Sequence, residues 1–337
     1  MAFNKYITAS PAVVCIGGGT GMSTMLRGLK NYVKDITAIV TVSDDGGGSG
    51  VLRDELGMPP PGDIRNCIQA LSNTEPTMEK LWSYRFESGS LKGQCFGNLL
   101  LAAMNGISES FEDAVAKVSD VLAITGRVLP VTDEDVNLKA ELEDGSSVVG
   151  ESAIARQKRI HGCRIKRVSL VPERPPALYS CVNAIEKADM IILGPGSLYT
   201  SVIPNLLVEG IAQAIMGSDA IKVYICNVMT QPGETENYTA SDHIRAVFAH
   251  GGKLFDYCLV NDAPAEPTAL ERYGRKGAEP VAVDAQEIEK LGVIPVLANV
   301  AGYDNSYYRH NPWLLAAELI RLYGEKSQTR VYKTGRK

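Results

Sequence analysis

No stretch of the 337 residues stays apolar for the ~18 positions that a helix needs to cross a bilayer, so helical membrane spans are not expected. Met1 to Ser10 carries one lysine and no apolar h-region, which argues against a secretory signal. Cysteine is sparse and scattered: Cys15, Cys67, Cys95, Cys163, Cys181, Cys226 and Cys258 are odd in number and include no C-x-x-C pair. That pattern excludes a disulfide framework or a zinc ribbon and favours reduced thiols in the cytoplasm. Histidine is scarcer still. His243 and His250 fall two turns apart on one expected helix, where core or surface positions are the default, and His161 and His310 stand alone. No zinc spacing and no Ser-His-Asp or Cys-His order emerges.

The chain also lacks a strong excess of positive charge. Its formal net charge is −5, and the last twelve residues hold Lys326, Arg330, Lys333, Arg336 and Lys337 without an acid, so the body is more acidic than the total. An acidic body is a poor match to a nucleic-acid backbone, which removes nucleic acid from the expected partners. The basic end (325–337) reads as a mobile, solvated tail.

What remains is an ordinary globular composition, able to bury a sizeable core. Ala12 to Ile16 is a β-branched apolar run that ends in glycines; Met22, Met25, Leu26, Leu29 and Val33 follow at helical spacing; Ile36 to Val42 is a second buried strand. This is a βαβ unit, and strands apolar on both faces indicate a parallel sheet covered by helices. The pattern recurs in Met190 to Leu193, a helix from Asn205 to Met216, strands at Ile221 to Cys226, Leu254 to Val260 and Ile294 to Val300, and a closing helix from Pro312 to Tyr323. Between the halves, Val136 to Val149 alternates around Asp144-Gly145, a hairpin signal, and Arg164 to Val171 adds a strand. The expected architecture is therefore a Rossmann-like three-layer α/β/α domain over 12–324, mainly parallel, with a short tail at 1–11 and a small antiparallel element inserted at about 125–175.

The chemistry concentrates in loops. Gly17-Gly18-Gly19-Thr20-Gly21 closes the first strand and opens a helix, whose unpaired amides and dipole favour an anion. It lacks the lysine of a Walker A loop, and Met22 stands where the dinucleotide fingerprint needs its last glycine, which counts against an NAD-dependent oxidoreductase. Four glycines in five residues exceed what a tight strand-to-helix turn requires, so a phosphate is expected here, with hydroxyls of Thr20 and Ser23 nearby. Ser43-Asp44-Asp45 ends the second strand ahead of Gly46-Gly47-Gly48-Ser49-Gly50. Such carboxylates suit ribose hydroxyls or Mg²⁺ on a phosphate, or serve merely as caps. In Pro59-Pro60-Pro61-Gly62-Asp63-Ile64-Arg65-Asn66, Asp63 is a natural N-cap, while Arg65 opposes the helix dipole unless an anion lies close. Gly194-Pro195-Gly196-Ser197 and Asn227-Val228-Met229-Thr230-Gln231-Pro232-Gly233-Glu234-Thr235 close later strands on the same carboxyl edge, where open α/β sheets bind ligands.

These glycine, Ser43-Asp44-Asp45, Pro60-to-Asn66, Phe96-Gly97-Asn98, Gly194-to-Ser201 and Asn227-to-Thr235 motifs, in this order, resemble the YvcK branch of the CofD-like proteins over roughly residues 12–323. The resemblance implies a Rossmann-like fold and binding of UDP-sugars such as UDP-N-acetylglucosamine or UDP-glucose. It further implies a regulatory role in gluconeogenic growth, cell shape and envelope synthesis, with a regulatory protein partner. The related CofD branch is enzymatic and uses Mg²⁺ to transfer a phospholactyl group. Carried over by motif, Gly18, Gly19, Thr20, Gly21, Gly194, Pro195, Gly196 and Ser197 face the phosphates. Ser43, Asp44, Asp45, Ser49, Asp63, Arg65, Asn66, Asn98, Asn227, Thr230 and Gln231 complete the ligand site, and Tyr273 and Arg309 join it as residues tied to UDP-sugar binding. Asp44 and Asp45 are the catalytic and metal-holding pair only on the alternative reading, a Mg-dependent transferase. Gly48 departs from the family's Gly-Gly-Ser-Ser-Gly, which removes one hydroxyl. The identity of the partner and any homo-oligomer are left open by the residues.

Overall fold

A computed structural model describes residues 10–156, 162–304 and 307–334; His161, the first nine residues and the end of the basic tail lie outside them. Seven strands, β1 (Val13–Gly17), β2 (Ile36–Val40), β3 (Arg127–Pro130), β7 (Met190–Leu193), β8 (Ile221–Ile225), β9 (Tyr257–Asn261) and β10 (Ile294–Ala298), form one sheet in the order β10-β9-β8-β7-β1-β2-β3. Every pairing in it is parallel. The central strands β1, β2 and β7 are buried at every position, as two covered faces require. The chain leaves β1 toward β2 and β3, then returns beside β1 as β7 and proceeds the other way. Right-handed crossovers therefore place the two sets of helices on opposite faces, giving the expected Rossmann-like α/β/α layers. The reversal between β1 and β7 is the topological switch point, where the loops after the two strands part.

Three helices begin in the glycine- and proline-rich loops of the first half: α1 (Gly19–Leu29), α2 (Gly47–Leu56) and α3 (Gly62–Leu71). In α1 the residues Met22, Met25, Leu26 and Leu29 are fully buried, at the spacing that marked the helix in the sequence. The inserted lobe is β4 (Asn137–Leu142), β5 (Ser147–Val149) and β6 (Ile165–Val171), antiparallel in the order β5-β4-β6. It begins later than 125, because β3 pairs in parallel with β2 and belongs to the main sheet. A two-stranded ribbon, β11 (Ala301–Asp304) and β12 (Tyr307–His310), lies after β10.

Two helices differ from expectation. The Asn205-to-Met216 segment is broken: a wide turn at Leu198–Val202 and a short helix at Ile203–Leu206 precede a second helix at Ile211–Gly217. Gly210, with φ 96°, interrupts the apolar run that periodicity alone read as continuous. The helix from Pro312 runs on to Thr334, past Tyr323, so the basic tail begins as its continuation. Among the described residues no helix is long and apolar enough to cross a membrane.

Candidate functional site

At the switch point the loops after β1 and β7 form one wall of a cavity of about 420 Å³, within the range of about 300–1,000 Å³ usual for small-molecule sites. Gly18, Gly19, Thr20, Gly21, Pro195, Gly196 and Ser197 line it, joined by Asn227, Thr230 and Gln231 from the loop after β8. Across the gap stand Tyr273, Lys276, Tyr307, Tyr308, Arg309 and His310.

The glycine wall is built by close packing as much as by openness to a ligand. Gly19 takes φ +68° at the start of α1. A Cβ on Gly21 would stand 2.8 Å from the Pro195 carbonyl oxygen, and one on Gly18 would stand 2.6 Å from Asp63 Oδ2. The density of glycine, which in the sequence argued for phosphate, is thus demanded in part by backbone meeting backbone across the switch point. The first helix amide is already engaged: Gly19 N–H donates to Asp63 Oδ2 at 2.6 Å. Asp63 is therefore not the N-cap of its own helix, a place held by Pro61; it lies in the first turn and reaches across to α1. The Thr20 and Gly21 amides remain as the donors that a helix start leaves without an intrahelical acceptor. Ser23 is turned away, its hydroxyl donating to the Thr20 carbonyl at 3.0 Å.

The polar side chains of the second half brace the wall. Asn227 Nδ2 donates to Gly196 O at 2.9 Å, and Ser197 Oγ to Gln231 Oε1 at 2.7 Å. Gln231 Nε2 in turn donates to Glu234 Oε1 at 2.7 Å. Glu234 is buried and also accepts from Tyr199 N–H at 3.2 Å; burial raises its pKa to about 7. Thr230 Oγ1 accepts the Glu279 amide at 3.0 Å.

The opposite wall has its own small core of Val228, Ala269, Ala301 and Tyr308, with Met229, Ala265 and Tyr273 packed on it. Tyr308 points into that core, so alternation along β12 sends Tyr307 and Arg309 to its other face. Tyr273, on the helix Pro267–Gly274, donates its hydroxyl to Tyr308 O at 2.9 Å and meets the Tyr307 ring edge-on at 6.0 Å. His310, which the sequence left without a role, is in this wall; burial lowers its pKa to about 4, and its Nε2 has no hydrogen-bond partner among the described residues. Of the two histidines placed two turns apart on one helix, His243 is a core residue.

The remaining sequence candidates are not in the cavity lining. Ser43, Asp44, Asp45, Ser49, Asp63, Arg65, Asn66, Asn98 and Gly194 do not line the cavity. Asp44 Oδ1 accepts Gly46 N–H at 2.8 Å, and Asp45 Oδ1 accepts the amide of Ser152, in the helical turn Glu151–Ile154 of the inserted lobe, at 2.8 Å. Burial, then the neighbouring charge of Asp44, raises the Asp63 pKa to about 6. Glu151, missed by the sequence reading, is raised to about 9 by burial and by Asp44, Asp63, Glu234 and Asp45. Arg65 Nη2 donates to Asn66 Oδ1 at 2.6 Å, and Asp63 offsets part of its charge. Ser43 Oγ meets Thr41 Oγ1 at 3.1 Å. Asn98 is buried in the first turn of the helix Phe96–Gly106. Among the described residues no three acidic, histidine or cysteine side chains converge in a metal-binding group. Asp44 and Asp45 each give one carboxylate oxygen to a backbone amide, and the second oxygen of each is what would hold a magnesium ion on the transferase reading.

Comparison with known proteins places the family and the fold. The family model described as 2-phospho-L-lactate transferase CofD matches residues 13–301. The chain is 48% identical over 317 residues to a gluconeogenesis factor of Bacillus subtilis, spanning 94% of this chain and 99% of that protein. It is 43% identical over 319 residues to one of Listeria innocua, spanning 94% and 97%. A crystal structure of a UPF0052 family member from Bacillus halodurans matches with a TM-score of 0.87 at 49% identity, covering 90% of this chain and 98% of that one.

Proposed function

This chain belongs to the CofD family, and from that premise we propose that it is a cytoplasmic, UDP-sugar-binding regulatory protein. It supports gluconeogenic growth, a reading that the relatives' name, gluconeogenesis factor, supports, and on the same proposal it acts in cell shape and envelope synthesis. The observation that carries the reading is the cavity at the β1/β7 switch point, with helix-start amides on one side and aromatic rings with cations on the other. Such a pairing suits a ligand with a flat base at one part and a diphosphate at another. Among the described residues that line the cavity, no side chain is placed as an activated nucleophile beside a general base, which favours binding over turnover.

Thermal unfolding with UDP-N-acetylglucosamine or UDP-glucose tests it. Saturation at 100 times Kd stabilises the fold by about 2.7 kcal/mol and raises Tm accordingly. An unchanged Tm with every UDP-sugar at millimolar concentration overturns the reading. Release of UMP by cleavage of the diphosphate when Mg²⁺ is added, with protein as the only macromolecule, would instead favour the transferase alternative, because a phospholactyl-type transfer breaks the phosphoanhydride bond.

A further inference from the structure

A buried carboxyl stands behind the glycine wall of the cavity, joined to it by a short chain of hydrogen bonds. Ser197, in the cavity lining, donates its hydroxyl to Gln231 Oε1 at 2.7 Å, and Gln231 Nε2 donates to Glu234 Oε1 at 2.7 Å. Glu234 also accepts Tyr199 N–H on Oε2 at 3.2 Å and the Thr200 hydroxyl on Oε1 at 3.3 Å. The local sequence makes this grouping. Tyr199 and Thr200 lie in the wide turn Leu198–Val202 that follows Ser197. The loop after β8 turns back on itself, so that the Glu234 amide donates to Gln231 O at 3.1 Å.

Every partner of the Glu234 side chain is a donor, which is the arrangement an ionised carboxylate takes. Its surroundings oppose that charge: the side chain is buried, and burial raises its pKa to about 7. The groups that face it are Glu236 on its own loop, Glu151 on the turn of the inserted lobe and Tyr199 on the wide turn. Tyr199 in turn meets the Tyr238 hydroxyl at 2.9 Å and the His250 ring edge-on at 6.0 Å, and Arg164 lies over the Tyr238 ring. No cation pairs with Glu234 among the described residues. Protonation reverses one bond of the chain. A proton on Glu234 Oε1 would face the Gln231 NH₂, and two donors cannot share so short a contact. Turning the Gln231 amide over resolves the conflict: its oxygen accepts from Glu234 and its NH₂ donates to Ser197 Oγ. Ser197 then has its own proton free to donate into the cavity, while the Tyr199 amide stays on Oε2.

We propose that Glu234 is a positioning residue that decides, through the Gln231 amide, whether the Ser197 hydroxyl donates to a bound diphosphate. The proposal rests on the UDP-sugar reading and adds the regulation of that site: the ligand binds with uptake of a proton at Glu234. Calorimetric titration of the full chain with UDP-N-acetylglucosamine at pH 6 and pH 8.5 tests it, since the two diester phosphates of that ligand have no proton to lose in this range. Wild type should bind about 10-fold more weakly at pH 8.5, as for loss of one charge-assisted hydrogen bond. Near pH 7.5 it should take up about half a proton, read from the binding heats in two buffers of different ionisation enthalpy. In Glu234→Gln the amide oxygen must stay on Tyr199 N–H, so its NH₂ faces Gln231 at every pH, and the pH 6 affinity should hold at both values. Ser197→Ala should hold the weaker affinity at both. A flat wild-type profile, or a wild-type slope kept in Glu234→Gln as a merely structural role would give, overturns the assignment. A wild type that binds at neither pH overturns the underlying reading instead.

Discussion

The cavity at the switch point and the acidic enclosure beyond β2 are made of the same sequence material, a glycine-rich loop with acids or hydroxyls after a buried strand, yet they differ in how their charge is spent. In the enclosure each aspartate finds an amide: Asp44 holds Gly46, Asp45 holds Ser152 and Asp63 holds Gly19. Glu151 is left among them with its pKa raised to about 9, and a carboxyl in that state is neutral near pH 7. In the cavity the cations Lys276 and Arg309 have no acidic partner among the described residues. The enclosure fastens the inserted lobe to the body through Asp45, whereas the cavity leaves cations without an ion pair among the described residues.

The largest expected effect lies where the two walls of the cavity meet. In Gly21→Val a Cβ falls 2.8 Å from the Pro195 carbonyl oxygen, so backbone must move to admit it. The cost should be about 3 kcal/mol in urea unfolding, with loss of the thermal response to UDP-sugar. Unchanged stability would mean that Gly21 serves the ligand alone, and the packing account of this wall would fail.

Next in size is a pH effect confined to the enclosure. Glu151 has its folded pKa raised from 4.5 to about 9, so the folded state binds the proton more tightly. Its contribution to stability is complete below about pH 4.5 and is lost as pH rises toward 9. Asp63, raised to about 6, finishes the same transition earlier, and Glu234, raised to about 7, and the buried thiols of Cys15, Cys67, Cys181 and Cys258 add smaller losses, so Glu151 carries the largest share above pH 7. Glu151 should cost the wild type on the order of 2 kcal/mol between pH 7 and 8.5, and Glu151→Gln should remove most of that slope. Equal slopes in denaturant melts of the two proteins would remove Glu151 from the account.

The sequence carried the sheet and one side of the cavity. Buried strands, α1 and the loops after β1, β7 and β8 were legible because periodicity and glycine content are local signals. The other wall was legible only through the family resemblance, which supplied Tyr273 and Arg309 but not Lys276 or Tyr307. Those two meet through a ribbon and a helix separated by some thirty residues, and only the small core around Tyr308 brings them together. Alternation in Tyr307-Tyr308-Arg309-His310 was the available signal, but so short a ribbon has no period to read. Asp63 misled for a related reason. A capping residue looks the same whether it serves its own helix or a neighbour 44 positions away.

The smallest effect tests whether the two regions are separate at all. Asp45 accepts the Ser152 amide at the start of the Glu151–Ile154 turn, and an asparagine oxygen can accept it equally well. Asp45→Asn should therefore leave stability within about 0.5 kcal/mol of wild type, while Asp45→Ala, which abandons the amide, should cost about 1 kcal/mol. Neither should change UDP-sugar affinity by more than about twofold, because Asp45 is outside the cavity and any effect must pass through the protein. The transferase reading expects the reverse, with Asp45→Asn nearly as damaging as Asp45→Ala because the charge itself would hold the metal. Calorimetric affinities that fall together in both variants, at unchanged stability in Asp45→Asn, would join the enclosure to the cavity as a single site.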